Sequence, residues 1–71
     1  MSNLKVGDEV KLIAIPDFVK TADPMPMLRS PEFLQIGERG KIIDRRPGGY
    51  WGVKFESGSF LLDSKYLQLI N

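Results

Sequence analysis

Short runs of alternating apolar and polar residues, each ended by a turn signal, set the rhythm of this chain. In VGDEVKLIAI, Val10, Leu12 and Ala14 share one face at a period of two. Lys11, Ile13 and Ile15 take the other, behind a Gly7-Asp8 turn. Pro16 has no amide to give a ladder, so the first strand is expected to end there. A second strand is predicted in GERGKIIDRR, running into Pro47-Gly48-Gly49, and a third in YWGVKFES. In that third strand Trp51, Val53 and Phe55 oppose Tyr50, Lys54 and Glu56. Ser57-Gly58 turns the chain into SFLLD, with Phe60 and Leu62 in phase. DSKYL reads as one helical turn capped by Asp63 or Ser64, and QLI is a last short strand.

Residues 16–36 break the alternation. PDFVKTADPMPMLRSPEFLQI holds four of the five prolines and two of the three methionines, and Pro24, Pro26 and Pro31 forbid a long helix. Thr21 or Asp23 is a candidate cap for a single turn here, with Pro24 at an early helical position. A loop of this length in a small domain is usually functional. It is also apolar, which implies that it packs over the barrel, awaits a partner, or does both. Met25, Met27 and Leu28 are candidates for a plug at an open barrel end and for a binding wall.

This order predicts an all-β fold: an SH3-like small barrel of about five strands, with a long Pro/Met-rich first loop and a short helical turn before the last strand. The 71 residues form a single domain, 1–71. Expected inward residues are Val10, Leu12, Ile42, Trp51 or Val53, Phe55, Phe60, Leu62 and Leu67. Ile42 and Ile43 are adjacent, so one faces out or a bulge intervenes. The same rule separates Tyr50 from Trp51, of which at most one is core.

Composition narrows the chemistry. The chain has no cysteine and no histidine, which removes disulfides, thiolate sites and the commonest general base and metal ligand. Its nine carboxylates are scattered singly, so no enzymatic role, cofactor or metal is expected. Ten cations against nine carboxylates give a net charge of +1, short of the basic excess typical of nucleic-acid binding. An RNA-binding module of the ribosomal or transcription type is nonetheless an alternative, through Arg45, Arg46, Tyr50 and Lys54. MSNLKVGDEV shows no signal-peptide run and no apolar stretch long enough to span a membrane follows, so a cytoplasmic protein is expected, or a stromal one in a plastid-bearing host.

VKTADPMPMLR (19–29) and GERGKIIDRRPGGYWGVKFESGSFLLDSKYL (37–67) resemble the small NblS-interacting proteins of the SipA family. That resemblance implies an SH3-like, non-enzymatic regulator; a monomer is expected ahead of a homodimer, which the apolar loop would also serve. Its partner would be the ATP-binding domain of a sensor histidine kinase in photosynthesis-related stress signalling, with a response regulator as a second candidate partner. Carried onto this chain, the interface candidates are Thr21, Asp23, Pro24, Met25, Pro26, Met27, Leu28, Arg29, Arg45, Arg46, Tyr50 and Trp51.

Overall fold

Each apolar alternation becomes a strand with one buried face. A computed structural model describes residues 4–22, 25 and 27–70. Seven antiparallel strands form one curled sheet: β1 (Glu9–Leu12), β2 (Val19–Thr21), β3 (Leu28–Arg29), β4 (Arg39–Arg46), β5 (Tyr50–Phe55), β6 (Gly58–Asp63) and β7 (Leu67–Leu69). The order across the sheet is β3-β2-β6-β5-β4-β1-β7. β1, β4, β5, β6 and β7 are the five strands of the SH3-like barrel, and β2 and β3 are short strands inside its long first loop.

The core consists of Val10, Leu12, Val19, Leu34, Ile42, Trp51, Val53, Phe55, Phe60, Leu62 and Leu67. Every expected inward position is buried, and Trp51 and Val53 are both inside rather than one of them. Removing such side chains from water contributes about 1.5–3 kcal/mol each. Gly40 is buried among them because the core leaves no room for more: a Cβ there would lie 2.7 Å from Val53 Cγ1 and 2.9 Å from the Phe55 ring.

Three local features differ from expectation. β1 ends at Leu12, well before Pro16, although the Ile13 amide still donates to the Tyr66 carbonyl at 2.8 Å, one step past the Leu12–Leu67 pair with β7. Thr21 is no helix cap. It is buried at the end of β2, where its amide donates to Met27 O and its Oγ1 accepts from Met27 N, both at 2.9 Å. Asp23, Pro24 and Pro26 lie outside the described residues. The barrel end is not plugged by Met25, Met27 and Leu28, all three of which are exposed. From this stretch Val19 and Leu34 enter the core instead, and the Phe33 ring lies 4.7 Å from that of Phe60, tilted by 35°. Pro31 starts the 3₁₀ turn (Pro31–Phe33) that delivers Phe33 and Leu34.

The hairpin tip follows the sequence closely. Pro47–Gly49 forms a 3₁₀ turn in which Gly48 and Gly49 hold φ values of 82° and 83°, a region other residues avoid. Asp63 Oδ1 accepts from the Lys65 amide at 3.0 Å and caps the 3₁₀ turn (Ser64–Tyr66) before β7.

Gly40→Ala is expected to destabilise the fold by about 1–3 kcal/mol through overpacking against Val53 and Phe55. Urea unfolding of the purified chain measures it, and an unchanged midpoint would contradict this packing.

Candidate docking groove

One residue in β4 decides what the hairpin tip presents. Lys41 pairs with Lys54 and Ile42 with Val53, but Asp44 pairs with Gly52, so Ile43 is an extra residue in a bulge. Beyond the bulge the inward-outward phase of β4 reverses. Asp44 and Arg46 face outward, opposite Gly52 and Tyr50, while Arg45 lies opposite Trp51. The Arg-Arg pair is therefore split between two surfaces. The Arg45 guanidinium lies over the Trp51 ring, 5.7 Å from its centroid, where it helps to leave that ring only 8% exposed. Tyr50, on the opposite face, is 46% exposed. Of the two adjacent aromatics, Trp51 is core and Tyr50 is surface.

Arg46 is held in place from two sides. Its Nε donates to Asp44 Oδ2 at 2.5 Å, and its Nη2 reaches the Ala22 carbonyl of the first loop at 3.4 Å. Asp44 also accepts from the Arg45 amide at 2.8 Å. The bonded Arg46 guanidinium, aided by that amide, holds the Asp44 carboxyl below the usual carboxylate range despite a smaller opposing effect of desolvation. Gly52 permits the arrangement. A Cβ there would lie 3.1 Å from Asp44 Cβ and would push the bulge away from β5.

Register then lays a row of residues across the outer face. Leu28 opposes Lys20, Lys20 opposes Leu61, and Leu61 opposes Gly52. Three of these residues border a groove of about 420 Å³ lined by Phe18, Lys20, Leu28, Arg46, Pro47, Tyr50 and Leu61. Phe18 and Leu28 are each 62% exposed. An apolar floor, two aromatic walls and a cation at each side suit an extended segment with an apolar anchor and a carboxylate.

Of the sequence-predicted residues, Leu28, Arg46 and Tyr50 converge on this groove. Thr21, Met27 and Arg29 line a neighbouring hollow with Phe33, over whose ring Arg29 sits at 5.4 Å. Arg45 and Trp51 border the hairpin tip. Met25 is 83% exposed and bounds none of these hollows. Phe18, Lys20, Pro47 and Leu61 were not among the predicted interface residues. The available signal for Leu61 was its outward phase between buried Phe60 and Leu62. Among the described residues no three carboxylates gather as a metal site.

The molecule is thus an SH3-like barrel with an open, aromatic-walled groove on its outer face. A family model described as Protein CHLORORESPIRATORY REDUCTION 42-like matches residues 6–67, and the chain belongs to this CRR42-like family. It is 37% identical over 70 residues to Protein CHLORORESPIRATORY REDUCTION 42, chloroplastic, of Arabidopsis thaliana. The match covers 97% of this chain and 58% of that relative. No solved structure matches.

Membership in the CRR42-like family overturns the resemblance to SipA. With it fall the sensor histidine kinase and response regulator as partners and the photosynthesis-related stress-signalling role. The RNA-binding alternative gains no support either. The expected cytoplasmic location is corrected as well, since the named relative is chloroplastic. No helix among the described residues is long and apolar enough to cross a membrane.

Because its folded pKa is depressed, Asp44 contributes to stability above its unfolded pKa of about 3.9, and that contribution is lost as pH falls through the folded value. The Arg46 Nε–H resonance should therefore shift as acid protonates Asp44, with a midpoint below that of an ordinary aspartate. In Asp44→Asn the transition should vanish; its persistence would mean that another group titrates.

Proposed function

We propose that this chain is a non-catalytic docking protein that supports chlororespiratory reduction in a chloroplast, and that its groove holds an extended segment of a protein of that system. The observation that carries the reading is the exposure of Phe18, Leu28 and Tyr50 around a groove floored by Leu61, in a barrel whose core is already complete without them. A contiguous apolar surface of this kind, flanked by Lys20 and Arg46, marks an interaction site. The chlororespiratory context comes from the named relative, whose length this chain spans by little more than half. The absence of histidine and cysteine from the sequence favours docking over catalysis.

Deleting the gene in its host should slow dark reduction of the quinone pool, and the wild-type chain should restore it. A Phe18→Ser/Tyr50→Ser variant should fold with a melting temperature close to wild type, because both side chains are largely outside the core, yet fail to restore the rate. Full restoration by the variant would remove the groove from the function. An undisturbed rate in the deletion strain would remove the chlororespiratory role itself.

A further inference from the structure

Away from the groove, the outer faces of β1, β4 and β5 bring together Lys11, Arg39, Lys41 and Lys54, all exposed. Their register is exact about charge: Lys11 lies directly opposite Arg39, and Lys41 directly opposite Lys54. Like charges facing each other across a ladder repel, with Cβ atoms only about 5 Å apart. Along β4, Arg39 and Lys41 are roughly 7 Å apart. Two carboxylates offer counter-charges here: Glu9, opposite Lys41, and the exposed Glu56, two residues after Lys54.

Three other carboxylates near in sequence are engaged elsewhere. Asp8 Oδ2 accepts from the Lys5 amide at 3.0 Å, Glu38 Oε1 accepts from the Gln35 amide at 3.3 Å, and Asp44 holds Arg46. Among the described residues the ion pair is Arg46–Asp44, and none of these four cations is in one. The face therefore gathers four of the ten cations with two of the nine carboxylates, leaving six cations against seven carboxylates for the rest of the chain. A nearly neutral protein has concentrated its positive charge on one rigid, hydrogen-bonded surface.

We propose that this face docks an acidic protein surface, one whose carboxylates meet the Lys11–Arg39 and Lys41–Lys54 pairs. The outward neighbours of the four cations include Glu9, Ile13, Ile43, Glu56, Ser59 and Gln68. No aromatic side chain is interleaved for stacking bases, and only the half-exposed Ile13 and Ile43 offer an apolar anchor for a bilayer. A clustered carboxylate surface needs neither. It would relieve both repulsive pairs at once and would steer association at low salt. Lys54 and Tyr50 are four residues apart on β5, roughly 13 Å, so this surface is separate from the groove and independent of what fills it.

The test uses the full isotope-labelled chain and three probes: a peptide of alternating glutamate and threonine, an oligothymidylate of equal negative charge, and vesicles containing phosphatidylglycerol. The peptide should bind most tightly, shift the amides of Lys11, Arg39, Lys41 and Lys54, and weaken as salt is raised. Lys41→Glu/Lys54→Glu should lower peptide affinity at least about tenfold. Lys54→Glu alone should raise the melting temperature by replacing a repulsive pair with an attractive one, which also shows that the variant folds. Equal or tighter binding of the oligonucleotide or the vesicles would overturn the proposal, as would peptide shifts that miss these residues. A lowered melting temperature for folded Lys54→Glu would overturn the claim that the cations repel.

Discussion

The extra residue at Ile43 is the constraint from which the functional surface follows. Without a bulge, the alternation that buries Gly40 and Ile42 would carry Asp44 and Arg46 inward and Arg45 outward. One inserted residue exchanges those fates while both halves of β4 stay paired with β5. Asp44 and Arg46 then meet on the outer face, Tyr50 joins them, and Arg45 is left to cover Trp51. Gly52 is the complementary requirement, since the bulge presses close over its backbone. The bulge, the missing side chain and the groove form one feature, described from three sides.

Much of this fold was legible because it rests on local rules. Alternation gave β1, β4, β5 and β6 their buried faces, the Pro47-Gly48-Gly49 turn announced its positive φ angles, and Asp63 announced its cap. Adjacency alone separated Tyr50 from Trp51. The first loop was not legible, and the reason is physical. β2 and β3 are only three and two residues long, and β2 is a strand because β6 lies beside it. Nothing within Val19–Thr21 specifies that pairing. Phe18, Lys20 and Leu61 thus come from separate segments that only tertiary register brings to one groove.

The partner was not legible for a related reason. The stretches that suggested SipA are rich in turn and core positions: glycines at positive φ, buried Trp51 and Val53, and Thr21 tied to Met27. Residues constrained in that way report how a barrel closes. Recognition depends on side chains free to vary on its outside, such as Phe18 and Leu28. A resemblance carried by the first kind of residue transmits architecture and leaves the partner open. The family match is what places this chain among the CRR42-like proteins.

The strands at the two margins of the sheet are among its shortest. β3 has two residues and β7 three, and Pro31 follows β3 almost at once. A sheet margin invites another chain to zip onto it, and the invitation grows with every unpaired amide along its length. Margins this brief offer too few rungs for a stable foreign ladder. The protein can therefore display Leu28, Met27 and Phe18 to a crowded compartment without inviting fibre growth.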